Sequence, residues 1–129
     1  MAGSKSDYLE NKVLDHALGT TSFTMPADVY VGLYTVAPTD AGGGTEVSGN
    51  GYAREIVTFS AASSGATAND AEVEFDTPTG SWGTVVAFGI FDSLTTGNLL
   101  YWGDLAVNKT IDSGDVVKFL VGDIDITES

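Results

Sequence analysis

The stretch Ser81-Trp82-Gly83-Thr84-Val85-Val86-Ala87-Phe88-Gly89-Ile90-Phe91-Asp92, followed after a short turn by Asn98-Leu99-Leu100-Tyr101-Trp102-Gly103, decides the fold. Alternation puts Val85, Ala87, Gly89 and Phe91 on one face and Val86, Phe88 and Ile90 on the other. Apolar side chains on both faces mark a strand in the middle of a sheet. Gly89 leaves room there for a large neighbour such as a tryptophan ring. Thr95-Thr96-Gly97-Asn98 turns the chain into a second strand, making a hairpin. Packing explains nearly every apolar, aromatic and glycine position in this stretch, and no nucleophile, base or ligand cluster lies beside it.

Working outward, Pro26 precedes an alternating run, Val29-Tyr30-Val31-Gly32-Leu33-Tyr34, which Pro38 ends. Residues 40–51 carry five glycines and read as a long loop. Residues 52–59 and 71–75 read as strands, the second with Val73 and Phe75 inward and Glu72 and Glu74 outward. The small, polar run 60–70 between them reads as a surface turn. Downstream, Lys109 to Ile111 is a short strand, Asp112-Ser113-Gly114-Asp115 a tight turn, and 116–120 another strand; Ile124 and Ile126 then alternate to the end. The sum is about eight short strands with turns every 8–12 residues, the pattern of an antiparallel β-sandwich or jelly-roll-like barrel. One domain spanning residues 1–129 is expected.

A single helix stands before the strands. Leu9, Val13, Leu14, Ala17 and Leu18 recur at helical spacing over residues 6–18, and Tyr8 widens the stripe. Ser4 or Ser6 suits the N-cap, Asp7 and Glu10 suit the positive end, and Gly19 stands where a helix stops. So short a helix needs a surface to dock on. That surface is either the domain's own sheet or a neighbouring subunit.

Charge sets the partners. Eighteen acidic residues face five basic ones, a formal net charge of −13, spread along the sequence without an acidic tail. Such a chain repels nucleic-acid phosphates and anionic lipid, so neither nucleic acid nor membrane is an expected partner. The acidity reads as a solvated surface that discourages non-specific association, and adaptation to a saline environment is compatible with it. There is no cysteine, which removes disulfides, thiolate zinc sites and cysteine nucleophiles together. No basic-then-apolar leader opens the sequence and no apolar run reaches the ~20 residues of a membrane span, so assembly in the cytoplasm is the expectation.

Each candidate for chemistry has a plainer reading. His16 is the only histidine and sits near the helix end, where the dipole suits it; one histidine cannot form a multi-histidine metal site. Asp123 and Asp125, like Glu72 and Glu74, share one side of a strand, and a carboxylate pair can hydrolyse a glycosidic bond when a pocket keeps one protonated. No such apolar pocket is visible, and alternating acids are ordinarily a strand's wet face. Asp112, Asp115 and Asp123 are loop oxygens of the kind calcium takes, without EF-hand spacing. The glycine loop lacks the Lys-Ser or Lys-Thr ending of a phosphate cradle, and no Gly-x-Ser-x-Gly elbow occurs. No catalytic, cofactor or metal residue is therefore assigned. Tyr52, Trp82, Tyr101 and Trp102 are either packing anchors or platforms for sugar rings.

The runs Tyr8-Leu9-Glu10-Asn11-Lys12-Val13-Leu14-Asp15-His16, Pro26-Ala27-Asp28-Val29-Tyr30-Val31-Gly32-Leu33-Tyr34-Thr35 and Glu46-Val47-Ser48-Gly49-Asn50-Gly51-Tyr52-Ala53-Arg54 resemble a family of small tailed-phage virion structural proteins. Trp82-Gly83-Thr84-Val85, Gly89-Ile90-Phe91-Asp92, Gly97-Asn98-Leu99-Leu100-Tyr101-Trp102-Gly103 and Ser113-Gly114-Asp115 extend the resemblance over nearly the whole chain. Such proteins carry the labels tail fibre, minor tail or head decoration. The resemblance implies a non-enzymatic virion component, without cofactor, assembled in the host cytoplasm as a homo-oligomer against major capsid or tail proteins. A capsid decoration or turret is the first expectation, because no extended shaft is evident. A tail or tail-fibre module that binds host carbohydrate is the second, and a glycan hydrolase using Asp123 or Asp125 a distant third. Contacts with neighbours are expected at Tyr8, Leu9, Leu14, Leu18, Tyr52, Arg54, Trp82 and Trp102. Arg54, a rare cation in an acidic chain, calls for a carboxylate partner within the chain or across an interface.

Overall fold

The computed structural model describes residues 4–128. Its elements run β1 (Ser4–Lys5), α1 (Asp7–Ala17), β2 (Val29–Val36), β3 (Thr45–Glu46), β4 (Glu55–Val57), β5 (Ala66–Ala68), β6 (Val73–Glu74), β7 (Gly83–Phe91), β8 (Leu99–Ile111), β9 (Lys118–Phe119) and β10 (Asp125–Thr127). Among the described residues the fold is mainly β, with ten strands and one helix.

The stretch that opened the sequence analysis occupies the centre of a six-stranded antiparallel sheet ordered β1-β8-β7-β2-β3, with β4 sharing the far side of β2. β7 pairs with β2 through Tyr30↔Phe91 to Tyr34↔Ala87 and with β8 on its other side. Two ribbons, β10-β5 and β6-β9, form a second layer. Their Val73, Phe75, Ile124 and Ile126 close over Val31, Leu33, Phe88 and Ile90 of the sheet in one apolar cluster, giving the sandwich-like arrangement. On the opposite face of the sheet Tyr34, Ala87 and Phe91 make a smaller cluster.

The alternation expected along β7 fails at its start. Val85 joins Phe88 and Ile90 in the large cluster, whereas Val86 packs with Ala87 and Phe91. The break falls at a bulge: between the pairs Val85↔Lys109 and Ala87↔Asp104, the single residue Val86 faces residues 105–108 of β8. Val86 and Ala87 stand on the same face, so the alternation resumes one residue out of phase. The same irregularity lets β8 run unbroken to Ile111, so the separate strand expected at 109–111 is the far end of β8. Gly89 does make room for large neighbours. They are Leu99, Tyr34 and Phe91, each within 3.1 Å of where a Cβ would stand, rather than a tryptophan ring.

Two loops hold hidden strands. Thr45–Glu46, inside the glycine-rich loop, pairs with Val36 and Tyr34 of β2. Residues 66–68, expected as part of a turn, pair with β10. The helix matches its expectation closely. Ser6 is the N-cap, its Oγ accepting from the Leu9 N–H at 3.2 Å, and Gly19 follows the C-cap Leu18 with φ +81°.

Candidate functional site

The run Glu46 to Arg54 closes a polar lock on the smaller face of the sheet. β3 holds Glu46 beside β2, and the chain returns through left-handed Gly49, Asn50 and Gly51 to bring Tyr52 and Arg54 back over it. Arg54 donates from Nε to Glu46 Oε2 at 2.9 Å and from Nη2 to Glu46 Oε1 at 2.8 Å, the two-pronged geometry that suits guanidinium and carboxylate. Its Nη1 donates to the carbonyls of Ser93 and Thr96, at 2.9 and 2.7 Å, in the β7–β8 turn. The guanidinium also lies 3.5 Å from the centroid of Phe91. Tyr52 donates its hydroxyl to Glu46 Oε2 at 2.6 Å and accepts from the Leu33 N–H at 2.9 Å.

Gly32 makes the lock possible, since a Cβ there would stand 2.8 Å from Glu46 Oε2 and 2.9 Å from the Tyr52 hydroxyl. Burial first, then the Glu46 hydrogen bond, pushes the Tyr52 phenol far above its ordinary value. Burial and the Glu46 charge push Tyr34 up to about 12. Burial opposes the charge on Arg54, but Glu46 outweighs it and the net shift is upward. These groups hold their protons firmly, so none is a base or nucleophile at neutral pH.

Behind the lock, Tyr52 meets Trp82 edge to face at 5.3 Å and stacks on Phe75 at 6.2 Å. Trp82 is buried, and its Nε1 donates to the Asn50 carbonyl at 2.9 Å. Asn50 in turn donates to the Ser81 carbonyl. A second buried amide, Asn69, ties the ribbons together: its Nδ2 donates to the carbonyls of Ala71 and Leu120, and its Oδ1 accepts from the Ile124 N–H.

A different cluster roots the helix at the edge of the sheet. β1 pairs Ser4 with Trp102 and Lys5 with Tyr101. The Ser6 hydroxyl donates to the Leu99 carbonyl at 2.5 Å, and its N–H to that of Leu100 at 2.9 Å. Asp40 gathers three donors: Trp102 Nε1 and Ser4 Oγ on its carboxylate, at 2.9 and 3.1 Å, and the Asp7 N–H on its carbonyl at 2.7 Å. Lys5 pairs with Glu128 at 2.7 Å, and Tyr101 donates to the same carboxylate. Burial opposes the charge on Glu128, but Lys5 and Tyr101 outweigh it and hold the carboxyl below its ordinary value.

Beyond this root the helix leaves the protein. Leu9 is its only buried residue, while Leu14 and Leu18 are 56% and 76% exposed. Asp115 and Asp123 each accept a backbone N–H of their own turn, from Asp112 and Leu120. Among the described residues no three His, Cys, Asp or Glu side chains converge to hold a metal ion. No helix among them is long and apolar enough to cross a membrane.

A model of the protein family described as Podophage GP4 fiber I protein gp80 matches residues 4–127. The chain belongs to this family. No curated protein matches it. Membership makes the chain a structural protein of tailed-phage virions, located in the virion and in contact with other virion proteins.

In this member of the fibre I family the eight residues expected at contacts fall into three places. Tyr52, Arg54 and Trp82 come together in and behind the lock, where Arg54 finds its carboxylate partner, Glu46, within the chain. Leu9 and Trp102 lie at the helix root, with Tyr8 half-buried beneath Lys12 at 5.6 Å. Leu14 and Leu18 alone stand well out in solvent. His16 accepts the Phe23 N–H at Nδ1, 3.0 Å away, which folds the following loop back on the helix end. Sequence reasoning missed Glu46, Asn50, Asp40 and Asn69. The first two sat inside the quoted nine-residue run, whose density of glycines around charged and aromatic residues was the available signal. Asp40 and Asn69 stood in polar loops with no such mark.

Proposed function

We propose that the chain is a non-enzymatic fibre component, a single sandwich domain that attaches to neighbouring virion proteins through the exposed half of α1. One observation carries this reading: a chain matched by a fibre-protein family over residues 4–127 turns its densest polar cluster inward as a lock, while a helix rooted at one end offers Leu14 and Leu18 to solvent. An unpartnered apolar helix face on an otherwise acidic protein is a contact element. Capsid decoration is the second reading, favoured by the short strands and the lack of an elongated shaft among the described residues. Carbohydrate stacking is open only to half-buried aromatics such as Tyr101 and Trp102, since Trp82 is 4% exposed and Tyr52 is held by the lock.

Gold labelling of a C-terminally tagged chain on intact virions separates the readings. Label on fibres supports the first, and label spread over the head overturns it in favour of decoration. Binding to host glycans that is lost in Trp102→Ala, with the fold retained, would add the adhesion role.

A further inference from the structure

We infer that Asn50 is a site of spontaneous covalent modification, loss of its side-chain amide by attack of the Gly51 nitrogen, which the folded chain holds in check. Asn50-Gly51 is the only Asn-Gly step in the sequence, and it lies in the run from Glu46 to Arg54 that closes the lock. Glycine puts no side chain beside the attacking nitrogen, and Asn50 is exposed, so hydroxide and water reach the pair. In the reaction a base takes the Gly51 N–H proton and the nitrogen bonds to Asn50 Cγ. The Cγ–Nδ2 bond breaks, and Nδ2 leaves as ammonia with a proton from water. Water then opens the cyclic imide at one carbonyl or the other, leaving aspartate or isoaspartate at position 50. The balance is one water taken up and one ammonia released, with no change of oxidation state.

The fold clamps both ends of this reaction. Cyclisation needs the Asn50 carbonyl and amide free to turn, so that the Gly51 nitrogen closes on Cγ. Asn50 and Gly51 instead occupy the two central positions of a tight turn, with φ +53° and +82°, closed by the Tyr52 N–H on the Gly49 carbonyl at 3.1 Å. The Asn50 carbonyl accepts from Trp82 Nε1 at 2.9 Å and from the Thr79 N–H at 3.0 Å. Its Nδ2 donates to the Ser81 carbonyl at 2.9 Å, and the amide lies flush on Gly80, where a Cβ would stand 2.8 Å from Asn50 Cγ. Gly80 has no left-handed φ that calls for glycine, so its missing side chain serves as the seat of this amide. Opening of the turn releases the clamp, and the change that follows is one-way. Isoaspartate carries the main chain through Cβ and Cγ, one carbon longer. It sets a carboxylate where Trp82 and Thr79 had met a carbonyl, and it leaves the Ser81 carbonyl without its donor. The turn that returns Tyr52 and Arg54 to Glu46 then no longer has the right length.

The test follows the full chain, folded and in guanidinium chloride, at one mildly alkaline pH, by peptide mapping for aspartate and isoaspartate at position 50. Conversion of the folded chain is expected to be at least about tenfold slower than in denaturant, because it proceeds only through local opening. Gly80→Ala, which unseats the amide, is expected to speed the folded-state reaction several-fold and to leave the rate in denaturant unchanged. The isoaspartyl chain, separated from the parent, is expected to melt at a lower temperature. No conversion at position 50 in denaturant, or equal rates folded and denatured, would overturn this reading, and neither measurement needs a variant. A folded Gly80→Ala chain that reacts no faster than the parent, or an isoaspartyl chain that melts with it, would overturn it as well.

Discussion

Arg54 and Glu46 form a two-pronged ion pair, at 2.9 and 2.8 Å, inside a box floored by Phe91 and closed by the carbonyls of Ser93 and Thr96. Four hydrogen bonds from one rigid plane reach acceptors in two separate segments, β3 and the β7–β8 turn, so the residue acts as a staple rather than as a charge. Lysine has neither the reach pattern nor the flat face to replace it.

Arg54→Ala strands the Glu46 carboxylate and two turn carbonyls, and breaking a largely buried pair in this way costs about 3–5 kcal/mol. The expected fall in thermal midpoint is on the order of 10 °C, read by calorimetry or by circular dichroism on heating. Arg54→Lys recovers only part of it. A midpoint unchanged in Arg54→Ala would show that the pair contributes nothing beyond its surroundings.

Stability also depends on pH from both ends. Glu128 has a folded pKa below the unfolded value near 4.5, so its contribution is present above that value and lost as pH falls through the lowered one. Because the pair with Lys5 is partly exposed, the effect is at most about 1 kcal/mol, and Glu128→Gln removes it. Tyr34 and Tyr52 carry the opposite sign. Their folded pKa values lie above 10, so the contribution is complete below pH 10 and is lost on alkalinisation, toward about 12 for Tyr34. Tyrosinate absorbance and unfolding should therefore rise together in a titration, and a buried tyrosine ionising well before unfolding would contradict this.

Asp40 joins the loop before β3 to both β1 and β8. Asp40→Ala removes the acceptor of Trp102 Nε1 and Ser4 Oγ, a loss of about 1–3 kcal/mol that falls on the helix root and not on the core. Amide exchange over residues 4–18 is expected to quicken several-fold with the sheet unchanged. Uniform acceleration across β2 and β7 would mean that the root is part of the global unfolding unit.

The parts legible in the sequence are those where local chemistry and tertiary context agree. Ser6 caps a stripe that Gly19 ends, and residues 83–91 are apolar on both faces because they do lie mid-sheet. What escaped is non-local. Nothing in Ala66-Thr67-Ala68 marks a strand: three small residues pair with β10, and Asn69 ties the two segments through the Ile124 N–H. The faces of Val85 and Val86 exchange where the pairing with β8 is interrupted by residues 105–108, a partner that no window around position 85 contains. Of the lock, the arginine and its need for a carboxylate were readable. Which of 18 acids would answer was not, because the turn through Asn50 that returns Tyr52 and Arg54 to Glu46 is a property of the folded loop.

The stretch of β8 beyond its pairing with β1 has an open outer side, and a long flat open side invites another strand to add on. Residues 105–108 interrupt it with a kink. The margin therefore offers no long unbroken run of unpaired backbone onto which a strand from another molecule could add.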